Sequence, residues 1–137
     1  MRLLQDYLDR IEASMVAGEV ILAKRDPALA GTVKAKCTEA ALLIGSYQMF
    51  IHREVFEPLM GSPDEQVRRQ VCALKAECIA LSEDLRAGVK TLAARETPMD
   101  HDAIQARIEW FNGRVRRHIA GVVLLLNSPG SALRRAA

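Results

Sequence analysis

Four stretches of this chain, roughly residues 2–25, 27–60, 63–94 and 101–126, repeat their apolar residues at steps of three and four. That period lines one face of an α-helix and cannot line one face of a strand, where the repeat is two. The first stretch gives Leu4, Leu8, Ile11, Met15 and Leu22, with Tyr7 beside Leu8. The second gives Ala41, Gly45, Gln48, His52, Val55 and Leu59. The third gives Val67, Val71, Leu74, Cys78, Leu81, Leu85 and Leu92, and the fourth Ile104, Ile108, Phe111, Val115, His118, Val122 and Leu125. Seams of this kind pack helices at a shallow angle, and short connections run each helix back along its predecessor. The expected fold is all-α: an up-down-up-down antiparallel four-helix bundle over residues 1–127, followed by a flexible C-terminal tail, 128–137.

The punctuation agrees with that division. Asp26-Pro27 reads as an N-cap with proline in the first helical position, where its missing N–H costs nothing. Gly61 closes the second stretch, and Ser62-Pro63-Asp64-Glu65 reads as N-cap, first-turn proline and capping-box glutamate. Thr97-Pro98 breaks the third stretch, Asp100 caps the fourth and Asn127-Ser128-Pro129-Gly130 ends it. Pro58 is expected to kink or terminate the second helix. Gly45 lies on a seam and suggests close approach of a neighbouring helix. Gly18, Gly31, Gly88, Gly113 and Gly121 interrupt helical patterns with no reason visible in the sequence.

Composition narrows the function classes. A chain of 137 residues, half of them hydrophobic, can bury one core without disulfide or metal staples. Its 19 basic and 17 acidic residues leave a net charge of +2, which is no footprint for nucleic acid. Arg114, Arg116 and Arg117, and further on Arg134 and Arg135, read as a solvated helix face and tail. Cys37, Cys72 and Cys78 lack CxxC or Cys/His zinc spacing and read as reduced thiols of a cytoplasmic protein. The charged opening MRLLQDYLDRIE is not a signal peptide, and no apolar run approaches a membrane span. With no nucleophile–base–orienter set, phosphate loop or facing carboxylate pair, the expectation is a protein that is not an enzyme.

Polar residues on apolar seams are the informative exceptions. They are Gln48 and His52 on the second helix, Cys78 on the third and His118 on the fourth, with Tyr7 at the edge of the first. Counted from Asp26, Tyr7 and Gln48 lie 19 and 22 residues away; counted from Thr97, Cys78 and His118 lie 19 and 21 away. At roughly 1.5 Å per residue these offsets differ by a few ångströms, so the residues are expected to share one buried layer, with His52 somewhat displaced towards Gly61. Taken singly, each reads as a core residue with a local hydrogen bond. Their convergence from all four helices reads as the way bundles build metal and cofactor sites.

Three segments resemble the hemerythrin-like, or HHE cation-binding, domain. YQMFIHREVFEPLM, residues 47–60, looks like that family's second-helix signature. KAECIALSEDL is similar to its third-helix stretch, and RRHIAGVVLLL to its last helix. The resemblance covers residues 1–126 and implies a four-helix bundle that binds cations. On this alignment Tyr7 and Gln48 stand where the family has histidines, and His52 stands for a glutamate. Cys78 replaces a third-helix histidine, and Val122 the carboxylate that follows His118.

Without bridging carboxylates a di-iron centre is not expected. The residues that remain suit a single zinc or iron ion held by His52, Cys78 and His118, or a small ligand contacted by Tyr7 and Gln48. The functional expectation is a divergent hemerythrin-like binding module with a sensory or regulatory role. The competing expectation is a metal-free helical bundle that serves as an interaction or structural protein. Its partner is then another protein or a second copy of the chain, not nucleic acid or membrane.

Overall fold

The computed structural model describes residues 2–94 and 100–128. Among them the chain is all-α, with four long helices and no strand. The first helix runs Arg2–Ala23 and the second Ala30–Ile51, which continues through a π-helical turn, His52–Phe56, into a last α turn, Glu57–Met60. The third runs Glu65–Ala93 and the fourth His101–Leu126. The first helix packs on the second and the fourth, the second on the third, and the third on the fourth, so the contacts close into a ring. No helix among the described residues is long and apolar enough to cross a membrane. The Thr97-Pro98 break and the tail from Pro129 onward lie outside the described residues.

The caps fall near the expected positions, with two shifts. Asp26 accepts the Ala28 N–H at 2.9 Å, but it caps a short 3₁₀ turn, Pro27–Leu29, and the α-helix begins at Ala30. The third helix is capped by Asp64, which accepts the Gln66 N–H at 2.9 Å, rather than by Ser62. Ser62 instead accepts the Asp64 N–H and holds the capping residue in place. Asp100 caps the fourth helix as its sequence suggests, accepting from Ala103.

Three seams lie inward as the periodicity indicates. Leu4, Leu8, Ile11, Met15 and Leu22 are all buried; so are Val67, Val71, Cys78 and Leu81, and Ile104, Val115, His118, Val122 and Leu125, while Leu74, Leu85, Leu92, Ile108 and Phe111 of the same seams are half-buried. The second helix departs. Val55 and Leu59 are buried, but before them the inward residues are Val33, Ile44, Tyr47 and Ile51, whereas Ala41, Gly45, Gln48 and His52 are only half-buried.

The π turn is the cause. Pro58 has no N–H, and in a regular α-helix its ring would crowd the Glu54 carbonyl. The turn before it widens, and the Glu57 N–H donates to the His52 carbonyl five residues back. The extra residue makes the seam step 47–51–55–59 in fours. Counting back from Leu59 in alternating threes and fours therefore lands one position out of register. The widened turn also brings the consecutive residues Val55 and Phe56 into the core together.

Three ion pairs tie the first helix and its exit loop to the fourth. Arg116 holds Glu19 through both terminal nitrogens, at 2.9 and 2.8 Å, and reaches Glu12 as well, while the buried Asn112 donates to Glu19. Arg25, at φ 51°, pairs with Asp102 at 2.6 Å. The arginines at 114 and 116 are thus not simply a solvated face, since Arg114 pairs with Asp84 on the third helix.

Gly45 is not a point of close approach. A Cβ there would meet nothing within 4 Å, whereas one on Gly121 would lie 2.9 Å from Leu74 Cδ2. Gly45→Ala should therefore stabilise the protein by about 0.5–1 kcal/mol through helix propensity alone. A urea titration checks this, and a lowered midpoint would show that the space around Gly45 is filled.

Candidate functional site

The most deeply buried polar groups meet between the second, third and fourth helices. The fourth-helix seam carries His118 to 2% exposure, and the shifted register of the second helix brings in Tyr47, also at 2%. Tyr47 Oη lies 3.0 Å from His118 Nε2. Glu77 on the third helix reaches the other ring nitrogen, placing Oε1 3.1 Å from Nδ1. Cys78, the next residue, is buried in the same cluster. Tyr7 packs edge-on against Tyr47 and tilted against Phe50, with ring centroids 6.3 and 5.2 Å away.

Burial sets the protonation of this group. It pushes the Tyr47 phenol far above its ordinary range, with Cys78, once ionised, and the Glu77 carboxylate adding to the effect, so the hydroxyl keeps its proton. It pushes the Cys78 thiol up to about 12, again helped by Glu77. It lowers His118, against the opposing charge and hydrogen bond of Glu77. A neutral imidazole between a carboxylate and a phenol has one consistent arrangement: Nδ1–H donates to Glu77, and Nε2 accepts from the Tyr47 hydroxyl. Such a chain satisfies every member and polarises along its length. It offers no nucleophile, because the phenol and the thiol both stay protonated.

The sequence-derived residues are distributed around this chain, not all within it. His118, Cys78 and Tyr7 lie in or against it. Gln48 does not, because the register shift puts Tyr47 in its place. His52 stands within the π turn, its ring edge-on to Phe56 at 5.2 Å, with Lys75 and Glu57 as its charged neighbours. Its Nε2 is buried without a hydrogen-bond partner among the described residues.

Among the described residues no group of three or more His, Cys, Asp or Glu side chains is arranged to hold a metal ion. His52, Cys78 and His118 are therefore not gathered as one ligand set. The ring nitrogens of His118 are both engaged, the Cys78 thiol is held protonated, and His52 turns to Phe56. Tyr47 and Glu77 were hidden from the periodicity. The first follows only if Pro58 is read as forcing a π turn, and the second reaches inward from beside a seam position.

A second feature lies farther along the core. The main cluster, from Leu4 to Leu125, is separate from a smaller one built on Leu22, Val33 and Ile104. A cavity of about 80 Å³ lies where they meet, bounded by Met15, Ile44 and Val115 on one side and Leu22, Val33 and Ile108 on the other.

The protonation pattern carries a pH dependence. The unfolded chain takes up protons on His118 and His52 near pH 6.5. The folded chain resists, because burial depresses both. Stability is thus fully present above that pH and is lost as pH falls below it, with the deeply buried His118 contributing more than the half-buried His52. Urea midpoints at pH 7.5 and 5 should fall accordingly, with a further loss below the usual carboxylate range as Glu19, held down by Arg116, is protonated. A flat profile between pH 7.5 and 5 would contradict the assignment.

No protein-family model, curated protein or solved structure matches this chain.

Proposed function

We propose that this protein is a metal-free binding module: an up-down-up-down antiparallel bundle of hemerythrin-like plan whose metal-binding layer has become a structural lock. The topology draws support from a run of contacts between the first and fourth helices and their ends. It passes from Arg25–Asp102 through Glu19–Asn112 to Glu12–Arg116, one number falling as the other rises. The observation that carries the functional reading is the Glu77–His118–Tyr47 chain. A metal could take a lone pair from His118 only by breaking the Tyr47 bond and stranding a buried hydroxyl. Binding is then the task of other surfaces and cavities, in a sensory or regulatory role without catalysis.

The competing reading is a single zinc or iron ion, and one observation favours it: the unpartnered Nε2 of His52. Elemental analysis of protein purified without a metal-affinity tag separates the two. The metal-free reading expects no stoichiometric zinc or iron, and unchanged stability after dialysis against a chelator. One metal per chain, lost in His118→Ala, would overturn it.

A further inference from the structure

The cavity between the two apolar clusters does not stand alone. Its wall of Cys37, Leu85, Ile108 and Phe111 also forms the floor of a groove of about 600 Å³ between the third and fourth helices. The groove is lined by Leu85, Val89, Leu92 and Ile104, with Trp110 and Arg107 also on its walls. Two glycines help to open this space. Gly18 lines the cavity and Gly88 the groove, and a Cβ on either would meet nothing within 4 Å. Each weakens its helix, and each leaves room where a side chain would fill the gap.

The charges along the groove are unequal. Asp84 is neutralised by Arg114, at 2.6 Å, and the same guanidinium lies 4.7 Å from the centre of the Trp110 ring. Arg107 makes no ion pair among the described residues. An apolar trough with one guanidinium left unpaired by the described residues suits a ligand with an apolar body and a single anionic end. Cys37 does not compete as a cation partner or nucleophile, because burial raises its pKa and keeps the thiol neutral.

We infer that the groove and the cavity behind it bind a medium-chain alkyl carboxylate, its tail against Leu85, Val89 and Leu92 and its carboxylate on Arg107. This rests on the reading of the protein as a binding module, and it names the ligand class and its place.

Trp110 is the chain's one tryptophan, so its emission reports on the groove directly. The full chain is titrated with decanoate, decanol and decyltrimethylammonium, with calorimetry alongside the fluorescence. Decanoate should bind saturably and most tightly. Arg107→Ala should weaken it about tenfold or more while leaving decanol unchanged. Gly88→Leu should abolish binding of both while raising the melting temperature, since its side chain enters open space. No saturable decanoate binding, equal affinity for the cationic probe, or full binding by a folded Gly88→Leu would overturn the assignment. Metal content is measured separately on the same preparation. A metal-loaded protein that binds decanoate would refute the metal-free reading alone, and a metal-free protein that does not would refute this inference alone.

Discussion

His118→Ala should cost the folded protein about 3–5 kcal/mol, combining a core cavity with the loss of two hydrogen bonds. The imidazole is 2% exposed, and its removal leaves the Tyr47 hydroxyl buried with nothing to donate to. Glu77 suffers less, because its side chain is 43% exposed and can turn to water. The asymmetry gives the prediction a second edge. Tyr47→Phe alone should cost about 1–2 kcal/mol, since it strands only the Nε2 lone pair. Combined with His118→Leu it should cost less than the sum of the two single changes, because the double variant leaves no buried polar group without a partner. Urea midpoints of the four proteins measure this. Strictly additive losses would mean that the chain is not a unit.

Phe56→Ala is expected to be as damaging, at about 3–5 kcal/mol, for a different reason. Phe56 and Val55 both have 0% exposure, although consecutive residues on an α-helix point about 100° apart. The wider π turn allows both to face the core. Truncating Phe56 also removes the ring against which His52 packs. The same truncation at Phe50, a half-buried neighbour of Tyr7, should cost visibly less. Thermal melts of the two variants compare them. Equal losses would show that Phe56 has no special place in the core.

The reach of the sequence can be traced along the second helix. Where a helix is regular from cap to end, its apolar period named the buried residues, all five on the first helix and, on the fourth, all but Asn112, although Ile108 and Phe111 on that seam are only half-buried. On the second, one extra residue in the His52–Phe56 turn displaced every position before it, so Gln48 stood where Tyr47 lies. Pro58 was the one visible sign of that irregularity, and a proline there is equally compatible with a kink or a helix end. Cys78 and His118 lie on the third and fourth helices, which the slip does not touch, so both seam positions are buried as expected.

Long side chains escaped for a related reason. Glu77 and Arg116 sit beside their seams and reach their partners through flexible stems, so the identity of those partners depends on helix rotation that periodicity leaves open. Gly18 and Gly88 were legible as helix-weakening residues, but the space they leave is a property of four helices together.

The central claim is that His118 is a neutral imidazole locked between Glu77 and Tyr47. The most direct test is the long-range proton–nitrogen correlation spectrum of its ring at pH 7. Nδ1 should be protonated and Nε2 unprotonated and accepting a hydrogen bond, with both shifts unchanged by added zinc and Nε2 alone perturbed in Tyr47→Phe. An imidazolium, the opposite tautomer, or a ring nitrogen that shifts with zinc at one equivalent would contradict it.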